Sequence, residues 1–304
     1  MVAIVSAPTN LGLRPPVRGG VPGTAKAPEA LREAGLHRRL YAAGAVDAGV
    51  VLPGRYVDDD GRRPAGTVRN QATIVEHARR LAHRLFDIRE SGQAPLVVGG
   101  DCSLAIAAGL ASRVTGGGGL VHIDGHTDFR HPGNSTGVGS VAGEDLAIAI
   151  GRHAPELAEI DGLGPYFDAE RVAHIGHRYE DAFVEEVREA IALVVSADDV
   201  ILHGAARAAS RVRAVEGLER DYWIQVDVDV LDPVHMPAVD SPDPGGLAPD
   251  ELVGLLRALA PHAWGAAVTV FDPDLDPDGV HAATLADVIA EGFAELGTAL
   301  GEED

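Results

Sequence analysis

Cysteine is almost missing from this sequence, because Cys102 is the only one in 304 residues. A lone cysteine cannot form a disulfide within the chain, so nothing here requires an oxidising compartment. Long hydrophobic runs are missing as well: no stretch approaches the roughly 18 consecutive apolar residues of a membrane-spanning helix. The first residues also lack the basic and then apolar segments of a secretory signal peptide. We therefore expect a cytoplasmic protein with no membrane partner.

Basic residues are in short supply. The chain has 25 Lys and Arg against 46 Asp and Glu, a formal net charge of −21. This charge opposes binding to phosphate backbones, so nucleic acid is excluded as an expected partner. It would attract metal cations and cationic small molecules, although a solvated acidic surface accounts for it equally well. With 46% hydrophobic residues, the composition is that of a folded globular protein.

Short apolar runs alternate with longer helical patterns along the chain. This alternation predicts an α/β fold in which helices cover a mainly parallel sheet. No linker or repeat divides the chain, so a single domain over residues 1–304 is predicted. The predicted strands are 2–7, 46–51, 96–99, 120–124, 172–175, 200–203, 223–227 and 266–270. The predicted helices are 28–43, 67–90, 103–113, 143–150, 180–193, 249–259 and 281–300.

Polar clusters follow three of the predicted strands, and parallel sheets bind ligands beyond the carboxyl ends of their strands. The first cluster, Gly-Gly-Asp-Cys-Ser at 99–103, is by itself more typical of a strand-to-helix turn capped by Asp101 or Ser103. The other two clusters carry more information, because each brings acidic residues to the end of an apolar strand.

The second cluster supplies Asp124, His126 and Asp128, and the third supplies Asp227 and Asp229. Residues two apart in an extended segment point the same way, so these side chains can converge. Convergent carboxylates repel one another unless a cation lies between them, and mixed oxygen and nitrogen ligands suit Mn²⁺, Zn²⁺ or Fe²⁺. The set could hold two ions that share carboxylates. It therefore predicts hydrolysis by a metal-activated hydroxide that attacks a planar carbon.

These residues resemble the ureohydrolase family of arginase and agmatinase. The resemblance rests on 99–103, on Asp-Gly-His-Thr-Asp at 124–128 and on Asp-Val-Asp-Val-Leu-Asp-Pro at 227–233, in matching order and separation. It implies a three-layer α/β/α sandwich, two Mn²⁺ per chain, and a homo-oligomer that is a trimer or hexamer. It also implies cleavage of a C–N bond in a guanidino or amidine substrate, with release of urea or a urea-like product.

By the same resemblance, Asp124 and Asp227 would bridge the two ions and the hydroxide between them. Asp128 and Cys102 would complete one metal site, and His126 and Asp229 would complete the other. The family usually has histidine where this chain has Cys102. A thiolate is softer than imidazole and shifts the preference toward Zn²⁺ or Fe²⁺. The alternative is that Cys102 only packs and leaves that site weakened.

Two further departures concern proton transfer and substrate recognition. Ala142 stands where the family usually has a proton-shuttling histidine. His131 in the same loop is a candidate replacement, with a surface histidine as the favoured alternative. Val270 stands where arginase usually has a glutamate that pairs with the guanidinium, and Asp272 or Asp274 could substitute only if the loop bends differently. Arg130 is a candidate partner for a substrate carboxylate, with pairing to a neighbouring aspartate as the alternative.

Two functional hypotheses follow. The first is a metal-dependent hydrolase of the arginase type, with arginine, N-hydroxyarginine, agmatine, another guanidino acid or formiminoglutamate as its substrate. The second is a protein of the same fold that has lost catalysis and serves in binding or regulation. Retention of every predicted ligand except the one at Cys102 favours the enzyme.

Overall fold

The structure is a computed structural model that describes residues 1–59, 62–64 and 66–301. Its framework is one eight-stranded sheet. Its strands are β1 (Val2–Ala7), β2 (Val46–Val50), β3 (Ala94–Gly99), β4 (Gly119–Ile123), β5 (Val172–His177), β6 (Leu193–Ser196), β7 (Tyr222–Asp227) and β8 (Ala263–Thr269). They lie in the order β2-β1-β3-β8-β7-β4-β5-β6. Every neighbouring pair runs parallel, as the alternation of strands and helices predicts.

Two hydrophobic cores lie on opposite faces of the sheet, because successive strand residues point to opposite sides. In β1, for example, Ile4 packs in one core and Val5 in the other. The first core is covered by α1 (Ala27–Glu33), α2 (Leu36–Ala42), α8 (Ala197–His203), α9 (Ala205–Arg213), α10 (Pro249–Leu259) and α11 (Val280–Gly292). The second is covered by α3 (Gln71–Glu90), α4 (Leu104–Val114), α5 (Asp145–Ala149), α6 (Pro155–Ala158) and α7 (Val184–Ala190). The predicted three-layer α/β/α sandwich is confirmed.

One predicted strand is wrong, because residues 200–203 belong to α8 and the strand lies just before them, at β6. The Ser196 hydroxyl accepts a hydrogen bond from the Asp199 N–H at 3.1 Å and so caps the helix. Asp198 and Asp199 lie in the first turn, where negative charge favours a helix. The cap therefore outweighs the strand preference of the β-branched residues that follow it.

Several predicted helices are too long. Helix 28–43 is divided into α1 and α2 at Gly35, whose φ of 90° is a left-handed conformation. Helix 180–193 shrinks to α7, since it begins only at Val184 and its last residue, Leu193, belongs to β6, and helix 281–300 ends at Gly292. No helix in the described part of the chain is long and apolar enough to cross a membrane.

The strand order brings the three polar clusters to one edge of the sheet. β4 and β7 are direct neighbours, with Ile123 in register with Val226, so the residues that follow them emerge side by side. β3 is separated from β7 only by β8. The chain segments after β3, β4 and β7 thus meet at the carboxyl ends of central strands, where parallel sheets form their ligand sites.

Candidate metal centre

The tightest group of potential metal ligands consists of Asp124, His126 and Asp229, each of which offers an atom within 4.8 Å of the others. Asp124 directly follows β4, and its Oδ1 accepts the His126 N–H at 2.6 Å. His126 Nδ1 lies 2.9 Å from Asp229 Oδ2, and its Nε2 lies 3.0 Å from Asp243 Oδ2. The imidazole is therefore held between two carboxylates.

Asp227 and Cys102 form a second contact in the same place. The Cys102 Sγ–H donates to Asp227 Oδ2 at 3.1 Å, although the two residues are far apart in the sequence. Asp227 Oδ1 accepts the Asp229 N–H at 2.8 Å, so the turn after β7 presents both carboxylates together. The structure therefore brings Cys102 of the first polar cluster next to Asp227 of the third.

Asp128 is fixed by the loop that returns to α5. Its φ is 44°, a left-handed conformation that aspartate tolerates better than most residues. Its Oδ2 accepts the Gly143 N–H at 3.1 Å. Gly143 has a φ of 116°, and a Cβ at this position would collide with the Arg130 guanidinium, so the loop requires glycine here.

The electrostatics of the centre favour a cation. Burial, and after it the charge of the neighbouring aspartates, raises the pKa of Asp124, Asp128 and Asp227 well above the usual value. Burial, followed by Asp227, also raises the pKa of the Cys102 thiol. Four acidic groups this close cannot all be charged unless positive charge is supplied.

His126 supplies part of that charge in the absence of metal. Burial lowers the pKa of His126, but the hydrogen bond and charge of Asp229 outweigh it and raise this pKa to about 10. Burial would raise the pKa of Asp229, yet its contacts with His126 lower it. The positively charged imidazole of His126 thus neutralises Asp229, as a metal ion would.

The residues fit a divalent metal. Asp124 Oδ2 is buried and has no hydrogen-bond partner among the described residues, an arrangement that is costly unless something else binds it. Carboxylate, imidazole and thiolate donors together suit Mn²⁺, Zn²⁺ or Fe²⁺. Asp124, Asp128, Asp227, Asp229, His126 and Cys102 would hold the ions.

A cavity of about 690 Å³ opens above these groups. Five of the predicted ligands line it, and Asp124 lies beneath them. The remaining lining residues include two cations and four acids: Arg130, Arg178, Glu180, Asp181, Asp240 and Asp243. Sequence reasoning identified only Arg130 among these. Asp181 ends the polar run His-Arg-Tyr-Glu-Asp at 177–181 that begins at the end of β5, and Asp240 and Asp243 lie in an irregular loop.

Arg130 faces the cavity without an acidic partner in the described part of the chain. Its Nε donates to the Gly143 carbonyl at 3.4 Å, a long contact that leaves the guanidinium available for a ligand. The predicted alternative, a pair with a neighbouring aspartate, is not observed. Arg130 is thus placed where a substrate carboxylate could reach it.

His131 and Asp272 lie elsewhere. His131 Nε2 is 2.9 Å from Glu186 Oε1, its Nδ1 accepts the Gly133 N–H at 3.0 Å, and it does not line the cavity. Asp272 accepts the Gly23 N–H at 3.1 Å and does not line the cavity either. Neither residue has a contact that supports the role expected of it from the sequence.

Positions 142 and 270, where this chain differs from the family pattern, can be located in the structure. Ala142 lines the cavity and offers no titratable group there. Val270 is buried with a φ of 76°, and its N–H donates to the Gly100 carbonyl at 2.7 Å. Because its side chain packs in the hydrophobic core, this position gives the cavity no carboxylate.

The raised pKa values at the centre lead to an expected pH dependence of the stability of the metal-free protein. A carboxyl whose pKa is raised on folding stabilises the metal-free protein at low pH, and this stability is lost as the pH rises toward the folded-state pKa. His126 acts in the same direction, since its contribution is complete below about pH 6.5 and is lost as the pH rises toward about 10. We expect the metal-free protein to unfold at lower urea concentration at about pH 8 than at about pH 5.5.

Urea denaturation in EDTA at the two pH values measures this effect. The net charge of −21 also destabilises the protein more at the higher pH, through repulsion over the whole chain. Asp227→Asn is therefore measured alongside the wild type, and its pH dependence should be weaker because one buried carboxylate is missing from the centre. With saturating Mn²⁺ the order should reverse, because protons compete with the ion for its ligands. Equal pH dependence in the two metal-free proteins would contradict the repulsion inferred at the centre.

Comparisons with known proteins give a consistent result. A family model described as "Arginase family" matches residues 1–294. The arginase of Brevibacillus brevis is 31% identical over 256 residues, which cover 81% of each chain. The formimidoylglutamase of Halobacterium salinarum is 30% identical over 250 residues, 78% of this chain and 70% of that one. The native structure of arginase from Bacillus caldovelox superposes with a TM-score of 0.84 at 25% identity, covering 99% of this chain and 98% of the other.

Proposed function

The chain belongs to the arginase family of hydrolases, which act on non-peptide C–N bonds in linear amidines. On that premise, we propose that it is an enzyme with a binuclear metal centre and that its guanidino or amidine substrate bears a carboxylate. The observation that carries the proposal is the convergence of five carboxylate, imidazole and thiol ligands on the floor of one cavity whose wall holds Arg130. Mn²⁺ is the expected ion, with Zn²⁺ or Fe²⁺ as alternatives because of Cys102.

The metal ligands fall into two sets. Asp128 and Cys102 would hold one ion, His126 and Asp229 would hold the other, and Asp124 and Asp227 would contact both. When bound, the ions would supply Lewis acidity and lower the pKa of water near the carbon to be attacked. The thiol of Cys102 would have to lose its proton to bind, and because burial and the charge of Asp227 raise its pKa, the positive charge of the ion would have to stabilise the thiolate.

Substrate orientation is assigned to Arg130. Its guanidinium matches the geometry of a carboxylate, and its described contact is the long one to the Gly143 carbonyl. A carboxylate bound there would direct the opposite end of the molecule toward the floor of the cavity. Without a glutamate at position 270, the guanidinium or formimino group would be recognised by the acidic residues of the centre itself.

Proton transfer is assigned to Asp240 rather than His131. Asp240 lines the cavity and is exposed to solvent, and desolvation by the cavity walls, followed by the charge of Asp229, raises its pKa to about 6. A carboxyl in this range can give a proton to a leaving amine and recover it near neutral pH. His131 is less suited, because both of its ring nitrogens are engaged away from the cavity.

A second candidate substrate class is favoured by the relative named formimidoylglutamase and by the apolar side chain at Val270. A formimino group carries one nitrogen fewer than a guanidinium, so it places a weaker demand on a bidentate carboxylate. Both candidates retain the carboxylate that Arg130 would bind. The cytoplasmic location and the trimeric or hexameric assembly stay predictions.

Mass spectrometry of products tests the proposal. The protein loaded with Mn²⁺ is incubated with arginine, N-hydroxyarginine, 4-guanidinobutyrate, formiminoglutamate, agmatine and free guanidine. We expect turnover of a carboxylate-bearing member and a large increase in KM for it in Arg130→Gln. Agmatine, which has no carboxylate, is the matched control substrate, and its KM should not respond to that substitution.

Two results would count against the proposal. Turnover of agmatine alone would remove the assigned role of Arg130. No turnover with Mn²⁺, Zn²⁺, Fe²⁺, Co²⁺ or Ni²⁺, together with at most one weakly held ion per chain, would favour a non-catalytic member of the family.

A further inference from the structure

Asp145 is a buried carboxylate that the assigned ligand set leaves unexplained. It is the first residue of α5, and its relative exposure is 1%. Neither of its oxygens has a hydrogen-bond partner among the described residues. A carboxylate removed from water in this way is expensive unless it is paired with a cation or protonated. Its surroundings should therefore show what neutralises it.

Asp145 lies beside the predicted bridging ligand. Its Oδ1 is 3.4 Å from His122 Nε2, and the same nitrogen is 3.5 Å from Asp124 Oδ2. The other nitrogen of this ring, Nδ1, is 2.9 Å from His174 Nδ1. One imidazole nitrogen thus faces two buried carboxylates, at distances too long for good hydrogen bonds, and it cannot satisfy both.

Backbone contacts place Asp145 on the Asp128 side of the centre. The Gly143 N–H donates to Asp128 Oδ2 at 3.1 Å, and the Ala147 N–H donates to the Asp128 carbonyl at 3.4 Å. The residues two before and two after Asp145 therefore both contact Asp128, so α5 brings Asp145 to the side of the centre where Asp128 lies.

We propose that Asp145 is an additional metal ligand and binds the ion held by Asp128 and Cys102. The inference rests on the binuclear centre of the proposed function and deepens it. A thiolate is a poor match for a hard ion such as Mn²⁺, and a second carboxylate on the same side restores a hard oxygen donor. Like Asp124, Asp145 does not line the cavity, so both would bind from beneath its floor.

The test is a titration of metal-free full-length protein with Mn²⁺ alone, using chelator competition and elemental analysis. Asp145→Asn should bind its second ion at least about 10-fold more weakly than the wild type, while the first ion is retained. In EDTA the variant should melt at a higher temperature, because an amide replaces an unneutralised carboxylate. Asp145→Ala should weaken Mn²⁺ binding equally, so the inference does not depend on one variant.

Asp276→Asn is the matched control. Asp276 is also buried and lies near the start of a helix, but its carboxylate accepts the His281 and Ala282 N–H groups. This variant should lose thermal stability and keep both ions. If Asp145 serves only as an ionic partner of His122, Asp145→Asn will behave in the same way, which would overturn the inference.

The two proposals fail differently. Wild-type protein that binds two Mn²⁺, with unchanged affinity in Asp145→Asn, would overturn the role of Asp145 and leave the binuclear enzyme standing. Wild-type protein that binds no Mn²⁺ and hydrolyses none of the substrates would overturn both.

Discussion

Asp227→Asn should reduce kcat/KM by at least about 10³-fold, since a bound metal contributes several kcal/mol to stabilising the transition state. Asp227 lies at the meeting point of two polar clusters, where it contacts both Cys102 and the turn that carries Asp229. Asparagine keeps the size of the side chain and can still accept the Asp229 N–H through its oxygen. The loss should therefore come from the missing charge rather than from misfolding.

Steady-state kinetics and metal content, measured on the same preparations, check this expectation. Bound metal should fall from nearly two ions per chain to one or fewer. Asp276→Asn again provides the control for loss of a buried carboxylate away from the cavity, and its activity should change little. Full metal content and near-normal kcat/KM in Asp227→Asn would show that the ligand set has been assigned incorrectly.

The ligand positions could be predicted from the sequence because they are local to strand ends. Asp124 directly follows one apolar strand and Asp227 ends another. A parallel sheet brings such strand ends to one edge, whatever the detailed packing. The spacing of two in each cluster is also a local property. The same reasoning located the strands well, except where Ser196 caps a helix over residues that favour strands.

Other features depend on contacts that no short pattern contains. Asp145 becomes significant only because α5 folds back against the end of β4 and sets it near His122. His131 looks suited to proton transfer in the sequence, but Glu186 of α7 binds it instead. Non-local packing of this kind decides which way a loop side chain points, so neither outcome could be read from spacing.

Arg178 is the strongest case of a residue that sequence reasoning missed. It follows β5 without any motif around it, yet its guanidinium is buried, with a relative exposure of 8%. It donates to five carbonyl oxygens at 2.6–3.3 Å, those of Gly176, Asp229, Val230, Leu231 and Asp243. Three of these belong to consecutive residues after β7, so one side chain fixes the backbone that presents Asp229.

Arg178→Met should therefore lower the free energy of unfolding by about 3–5 kcal/mol, because it leaves several buried carbonyls without donors. Metal affinity should fall about 10- to 100-fold, as it does when groups that orient a ligand are lost. Arg178→Lys should give an intermediate loss, since an ammonium has three donors and no planar fork. Urea denaturation of the metal-free proteins and Mn²⁺ titration measure the two effects separately.

Arg79→Met is the matched control for loss of an arginine. Arg79 is half-exposed and pairs with Asp161 at 2.7 Å, an interaction worth at most about 1 kcal/mol on a solvated surface. If Arg178→Met costs no more than Arg79→Met, the carbonyls must find other donors and the backbone after β7 does not depend on the guanidinium. If stability falls but Mn²⁺ affinity does not, Arg178 supports the fold without positioning Asp229. Loss of both would place this arginine among the residues that build the metal centre.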